Sequence, residues 1–163
     1  MGDYTDKELV RLFREGSNPD HAFGLIVEKY QEKLYWQVRK ILISHDDTDD
    51  VLQNTFLKVF EALPGFREES SLYTWLYRIA TNEALSHLKR KRKRTLLSLE
   101  DVRSYLERTL ESEAWFSGEE IQSKLQKAIV RLPEKQRLVF NMRYFGEMKY
   151  EEMSAILETS VGA

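Results

Sequence analysis

The chain has 163 residues, and its 25 lysines and arginines stand against 27 aspartates and glutamates, giving a formal net charge of −2. It contains no cysteine, which excludes disulfides, thiolate catalysis and cysteine-ligated zinc or iron–sulfur sites. No apolar run approaches about 18 residues, so no membrane span is predicted, and the acidic, amphipathic N-terminus is unlike a signal peptide. We therefore expect a soluble cytoplasmic protein with one domain or two small ones.

Charge is distributed unevenly along the chain. Residues 89–94 read KRKRKR, an unbroken run of six positive charges, whereas the rest of the chain has a net charge of −8. Four aspartates crowd into residues 46–50. The whole-chain charge therefore says little about partners, because the two signs are sorted by location.

Hydrophobic periodicity predicts helices along most of the chain, because apolar residues recur three or four positions apart. No segment shows the sustained polar–apolar alternation of a strand, so we predict an all-α protein. The first helix opens on a capping box formed by Thr5 and Glu8, and Asn18 starts the second. The helices of the N-terminal half are predicted over residues 5–15, 19–42, 48–62 and 71–94. We expect the third to bury Phe60, and we expect Tyr77 of the fourth to point away from the centre of its apolar arc.

The pattern weakens over residues 95–117, an acidic stretch that we interpret as a linker with one short helix around residues 99–110. Further helices are predicted over residues 119–132, 134–145 and 150–157. The predicted organisation is two small helical domains, residues 1–94 and 118–163, joined by this linker.

The basic run at the end of the fourth helix is a candidate nucleic-acid contact. Successive helical residues turn by about 100°, so six consecutive cations surround the helix end instead of forming one face. We expect such an end to stay solvated all round, because it cannot pack on a core. Engaged with a nucleic-acid backbone, they would give a log–log salt slope of at most about −4 to −5. A solubilising helix end and a nuclear import signal are the alternatives that the run alone leaves open.

A polar stripe on the fourth helix leads into this run. Its members, spaced four residues apart, are Thr74, Arg78, Asn82, Ser86 and Arg90. Arginine and asparagine are side chains that bind phosphates and base edges, respectively. Aromatic residues flank the polar loop at 67–71 just upstream, and aromatics beside basic groups are what unstacked bases require.

The outer face of the third helix is a candidate docking surface. Asp50, Gln53 and Asn54 point away from the apolar side of that helix, and Leu57 sits among them. One exposed leucine is common, but an apolar centre ringed by polar groups also suits a partner helix. The pattern alone leaves both interpretations open.

No catalytic, cofactor or metal site is predicted. An EF-hand loop from Asp46 would need glycine at its sixth position and glutamate at its twelfth, where the sequence has Val51 and Leu57. The three histidines form no HExxH motif, and the sequence has neither a glycine-rich phosphate loop nor a nucleophile elbow. A helical hydrolase that uses the aspartates would require tight divalent-metal binding.

The end of the sequence has the outline of a helix-turn-helix. The helix predicted at 150–157 is followed by Glu158, Thr159 and then Ser160, which could cap a fresh helix. A plain helical hairpin is the alternative. In a helix-turn-helix the second helix enters the major groove.

The motifs in this order resemble bacterial RNA polymerase sigma factors, and the extracytoplasmic-function (ECF) group in particular. The resemblance is carried by DTDDVLQNTFLKVF from Asp47, SLYTWLYRIATN from Ser71, LPEKQRLVF from Leu132, and YEEMS with SVG after Tyr150. It covers residues 18–163 apart from the linker. It implies a promoter-specificity subunit, not itself an enzyme, that recruits core polymerase and assists promoter melting without a cofactor.

The resemblance also implies roles for individual residues. Clamp helices of the largest polymerase subunit would be bound by Asp50, Gln53, Asn54 and Leu57, with Asn54 standing where the family usually has an acid. The fourth helix and the loop before it would read the minus-ten promoter element and capture a flipped base. The DNA-binding residues implied for this region are Ser70, Ser71, Tyr73, Arg78, Asn82, Ser86, Lys89, Arg90, Lys91, Arg92, Lys93 and Arg94.

The C-terminal unit would read the minus-thirty-five element from Ser160 onward. Family members usually continue well past this point, so the resemblance predicts a truncated recognition helix and weak or absent binding there. It further implies an anti-sigma partner, a bacterial cytoplasmic location and no membrane insertion. The alternative is a nuclear or chromatin helical protein that uses the basic run for import or non-specific DNA contact and has no affinity for polymerase.

Overall fold

The computed structural model describes residues 4–95, 99–112 and 120–163, and these residues form helices and turns with no strand among them. The N-terminal helices are α1 (Asp6–Glu15), α2 (Pro19–Leu42), α3 (His45–Ala62) and α4 (Leu72–Thr95), with a 3-10 turn at Leu63–Gly65. The later helices are α5 (Leu99–Ser112), α6 (Glu120–Val130), α7 (Glu134–Phe140) and α8 (Tyr150–Leu157). A π-helical turn, Asn141–Phe145, continues α7.

The starts of the first three helices follow from local capping chemistry. The predicted capping box of α1 is present: Thr5 Oγ1 accepts from Glu8 N at 3.3 Å, and the Glu8 carboxylate accepts from Thr5 N at 2.7 Å. Asn18 caps α2 with its side-chain oxygen. Helix α3 begins earlier than predicted, because Ser44 accepts a hydrogen bond from Asp47 N and supplies a cap that the apolar pattern did not show.

Helices α1 to α4 pack around a shared apolar core. Fully buried members of this core include Ile26, Leu34, Val59, Leu76 and Ala80. Burying a large aliphatic side chain contributes about 1.5–3 kcal/mol, so the core supplies most of the stability that offsets chain ordering. It also fixes the faces that α3 and α4 turn outward.

Two core expectations were wrong. Phe60, predicted to be buried, is 38% exposed, because its ring lies at the margin of the core, where Phe13 and Phe23 meet it edge-on at 5.4 and 5.0 Å. Tyr77, predicted to point away from the centre of the apolar arc, is buried. It faces the C-terminal helices across a cavity that Asn141 and Phe145 also line.

The segment interpreted as a linker contains a packed helix. The predicted short helix is present as α5, and its Leu106 and Leu110 are buried in the same apolar cluster as the other helices. Arg131 on the C-terminal side of α6 pairs with Glu107 at 2.9 Å. The described part of this segment is therefore more than a flexible spacer.

The C-terminal helices lie against α4. Met153 and Ile156 of α8 are buried in the same cluster as the α1–α4 core. The π-helical turn brings the ring of Phe145 to 4.8 Å from Nζ of Lys40 on α2. We call this packing of α7 and α8 on the N-terminal helices the closed arrangement. None of the helices in the described ranges is both long and apolar enough to cross a membrane.

Candidate polymerase and nucleic-acid interfaces

The outer face of α3 is open to solvent, as the sequence predicted. Its inner stripe, spaced four residues apart, is Val51, Thr55 and Val59, all buried. This stripe turns Asp50, Gln53 and Asn54 outward, and Leu57 beside them is 60% exposed. Exposed apolar area rimmed by polar groups is typical of an interaction site.

Two sets of charged contacts fix α3 on α4. Lys58 pairs with Glu83, and near the start of α3 the Lys91 Nζ donates to Asp47 Oδ2 at 2.6 Å, with His87 Nε2 3.2 Å from Oδ1. Burial acts to raise the pKa of Asp47, but the hydrogen bond and charge of Lys91, helped by His87, hold it below its ordinary value. These contacts hold α3 against α4 and so fix the position of its outer face.

The loop between the 3-10 turn and α4 is anchored at both of its ends. Phe66 is buried and packs on Trp75, with the ring centroids 4.9 Å apart. At the other end Ser71 Oγ accepts a hydrogen bond from Thr74 N at 3.1 Å and caps α4. Ser70 between these anchors is exposed. Ser71, one of the two serines expected to contact DNA, therefore also stabilises the start of α4.

A cavity of about 440 Å³ opens beside this loop. Its lining includes Arg67, Ser70, Thr74, Trp75 and Arg78, with Ala155 and Ile156 of α8 on the opposite side. Cavities of about 300–1,000 Å³ are typical ligand sites, so this one is large enough for a nucleobase. An aromatic wall beside a guanidinium suits an unstacked base.

Tyr73 is separated from Ser70 and Arg78. Its ring stacks on Tyr30 of α2 with centroids 5.8 Å apart, and burial raises its pKa. It lines a different cavity, of about 360 Å³, together with Lys33 and Lys40 of α2. The structure therefore does not bring Tyr73 together with the other expected DNA-binding residues of the loop and helix.

Asn82 and Ser86 lie farther along α4, in an extended cavity of about 950 Å³. Its basic lining residues are Lys89, Arg92, Arg103, Lys135 and Arg137. Burial lowers the pKa of Arg137, which is 5% exposed. Cationic side chains that converge on a concave surface focus a field that attracts phosphate.

The basic run forms the last turns of α4. Arg90 and its neighbours in the run are exposed except Lys91, which is partly buried. Lys91 Nζ donates to Tyr105 Oη of α5 at 2.5 Å in addition to Asp47. The sequence predicted a helix end that is solvated all round. The structure corrects this for Lys91, because α3 and α5 both reach its side chain.

The aspartates at the start of α3 point to different partners. Asp47 turns inward to Lys91, and Asp49 lies 3.4 Å from His45 Nε2. Asp46 and Asp50 are exposed. In the described ranges no group of three or more histidine, aspartate or glutamate side chains is placed to hold a metal ion.

Similarity to known proteins identifies the family. Residues 26–94 match the family described as Sigma-70 region 2, and residues 122–163 match Sigma-70, region 4. The chain is 34% identical over 168 residues to the ECF RNA polymerase sigma-E factor of Escherichia coli strain K12, an alignment that covers 97% of this chain and 85% of that protein. The chain belongs to the ECF sigma factors.

A second relative agrees with this assignment, and three solved structures have a similar fold. The RNA polymerase sigma-H factor of Pseudomonas aeruginosa is 32% identical over 165 residues, covering 96% of this chain and 84% of the relative. CnrH in complex with the cytosolic domain of CnrY has a TM-score of 0.68 at 23% identity, covering 96% and 85% of the two chains. The sigma factor RpoE in complex with the anti-sigma factor NepR from Bartonella quintana has a TM-score of 0.64 at 20% identity, covering 86% and 85%. An engineered region 2 of sigmaE in complex with GTAAAA has a TM-score of 0.52 at 37% identity, covering 60% of this chain and 100% of that one.

Family membership decides the function at a coarse level. As a sigma factor, the chain is a DNA-binding, promoter-specific factor of transcription initiation. This confirms the prediction made from the sequence motifs, and it disfavours the alternative of a nuclear protein that makes only non-specific DNA contacts.

Ser160 follows the C-terminal end of α8, and its expected contact with DNA stays a prediction. Glu158 takes the left-handed conformation, with φ 52°, and ends α8. Residues 160–163 form one further turn, in which Ala163 N donates to Ser160 O at 3.0 Å. Ser160 is exposed.

Three basic residues near α4 were missed by sequence reasoning. Arg103 of α5, with Lys135 and Arg137 of α7, lines the same cavity as Asn82 and Ser86. Nothing in their local pattern marks them, because their position depends on how the C-terminal helices pack on α4.

Proposed function

We propose that this sigma factor binds core RNA polymerase through the outer face of α3, and that it binds the separated non-template strand of the minus-ten element through α4 and the loop before it. The observation that carries the proposal is that α3 and α4, which ion pairs hold together, present two different surfaces. One has a solvated leucine among polar groups, and the other has a polar, cationic cavity. The chain itself performs no bond-making chemistry and acts in the bacterial cytoplasm, where polymerase is.

The polymerase contact centres on Leu57. Leu57 is largely exposed and lies one to two helical turns after Asp50, Gln53 and Asn54, so a pair of clamp helices from the largest subunit could bury it while bonding to these polar neighbours. Asn54 offers an amide where the family usually has an acid. Docking at that position would therefore depend on hydrogen bonding and not on charge.

The DNA contact centres on Ser70 and Arg78. The cavity beside the loop has the size and the lining for one extruded base, and extruding a base costs a few kcal/mol that stacking and hydrogen bonds must offset. The structural relative with region 2 of sigmaE holds GTAAAA. By analogy, region 2 of this chain would hold a short promoter strand, with Asn82 and Ser86 along the strand and the basic run at its phosphates.

Binding of DNA requires the closed arrangement to open. Ala155 and Ile156 of α8 face Arg78 across one cavity, and residues at the start of α7 face Asn82 across another. Because the C-terminal helices supply part of both linings, they restrict the path of a strand that would run along α4 through both cavities. Two structural relatives are bound to CnrY and to the anti-sigma factor NepR. An anti-sigma protein is accordingly a further partner that we propose for this chain.

Run-off transcription with purified core polymerase on a promoter library tests the proposal. Leu57→Ala should weaken binding to core polymerase by about thirtyfold, because losing burial of three carbons costs about 2 kcal/mol. Ile121→Ala is the matched control, since Ile121 is 81% exposed on the C-terminal part of the chain. Equal affinity of wild type and Leu57→Ala would contradict the polymerase surface. Absence of any promoter-specific transcript from the wild-type chain would contradict the function.

A further inference from the structure

Arg14 of α1 joins that helix to the loop before α4. Arg14 Nη1 donates to Glu68 Oε1 at 3.0 Å, and its Nη2 donates to the carbonyl oxygen of Phe66. One guanidinium thus binds both the backbone and a side chain of the loop. Arg14 lies outside residues 26–94, which match region 2.

Glu68 has a backbone conformation that contacts from other residues must stabilise. Its φ is 59°, in the left-handed region that residues other than glycine adopt uncommonly. Such a conformation persists where the surrounding structure holds it in place. Arg14 provides that hold, because it binds the Glu68 carboxylate directly and the backbone two residues earlier.

The loop has open space on both sides. On the α1 side, Glu68 and Ser70 help to line a cavity of about 230 Å³, together with Asp6 and Val10 of α1. On the other side lies the cavity of about 440 Å³ that we assign to an extruded base. With little packing behind its middle, the loop depends on directed bonds for its position.

We propose that Arg14 is a positioning residue, which holds the loop of residues 66–70 in the shape that receives an extruded promoter base. The planar fork of arginine suits this task, because it reaches two acceptors at once, which a lysine cannot do with the same geometry. Arg14 is partly exposed, so its side chain forms these bonds without a large desolvation cost. The inference rests on the proposed function of that loop.

The first test needs no promoter. In the free full-length chain, glutamyl endopeptidase should cleave after Glu68 or Glu69 about tenfold faster in Arg14→Ala than in wild type, because charge-assisted bonds are lost. Arg14→Lys should fall between the two. Arg11→Ala is the matched control, an exposed arginine one turn earlier on α1, and should cleave like wild type. Thermal unfolding of each variant verifies that the fold is retained.

The second test measures base capture in the holoenzyme. With 2-aminopurine in the non-template strand of the minus-ten element, Arg14→Ala should slow the fluorescence rise about tenfold, while affinity for core polymerase stays unchanged. Unchanged cleavage in Arg14→Ala would overturn the proposal, and so would faster cleavage with unchanged opening. If the wild-type chain opens no promoter, the proposed function fails and the role in base capture fails with it. The cleavage difference would then remain as evidence for the contact alone.

Discussion

At the scale of single residues, the Asp47 carboxylate contacts three side chains from α4 and α5. It accepts from Lys91 at 2.6 Å, lies 3.3 Å from Tyr105 Oη and 3.2 Å from His87 Nε2. Three helices therefore meet at one carboxylate. The sequence showed Asp47 only as one of four clustered aspartates, because its partners stand 40 or more positions away along the chain.

Replacing Asp47 tests this junction. Asp47→Asn should lower the free energy of unfolding at pH 7 by about 1 kcal/mol, a modest value because the Lys91 side chain is 35% exposed. The pKa of Asp47 is below its ordinary value in the folded chain, so its contribution is present above the unfolded pKa near 4 and is lost as pH falls below that value. Wild type should therefore lose its advantage over Asp47→Asn on acidification.

Urea unfolding at pH 7, 5 and 3.5 measures both effects. Asp46→Asn is the control, since Asp46 is exposed on the same helical turn. A loss at pH 7 that is equal for the two variants would contradict the role assigned to Asp47.

Among the helices, the predictable features are those set by local pattern. The four-residue spacing of apolar side chains placed α3 and α8 and turned Leu57 outward. The packing of α5 was not predictable, because its apolar side is short and the acidic residues around it suggested a solvated linker. In the structure Leu106 and Leu110 are buried. The Tyr105 hydroxyl accepts a hydrogen bond from Lys91, which lies in the last turns of α4.

The cations at the basic end of α4 should contribute unequally to DNA binding, and the salt dependence of that binding measures their contributions. Replacing Lys89, Arg90 and Lys93 by alanine should reduce the log–log salt slope of holoenzyme binding to forked promoter DNA by about 2–3, since each phosphate contact contributes about 0.7–0.9. Lys91→Ala should reduce it by less, because Asp47 already partners that ammonium. An equal change in the salt slope per residue for Lys91 and for the exposed cations would contradict this prediction.

At the scale of the whole molecule, the sequence indicated two helical units but not how they meet. Met153 and Ile156 form an apolar stripe on α8 that would look the same in sequence whichever surface covered it. The structure covers this stripe with α4. As a result, the C-terminal helices lie over the cavities that we assign to promoter DNA.

Locking the closed arrangement should therefore abolish promoter binding. The chain has no cysteine, so Glu69→Cys with Ala155→Cys provides one reactive pair across the cavity beside the loop. After treatment with a short bismaleimide, the intramolecularly linked chain should lose binding to forked promoter DNA, whereas each single-cysteine variant should keep it. Binding by the linked chain at the wild-type level would show that DNA does not need these cavities.

The account depends most on the outer side of α4, and affinity of the holoenzyme for forked promoter DNA tests it most directly. Arg78→Ala combined with Asn82→Ala removes one guanidinium and one amide expected at the strand. With each contact worth about 1–3 kcal/mol, affinity should fall about thirtyfold or more. The affinity of the double variant for core polymerase should stay at the wild-type level, and so should the affinity of an Arg131→Ala control for the forked DNA. Unchanged affinity of the double variant for the forked DNA would contradict the assignment of α4 as the promoter-reading helix.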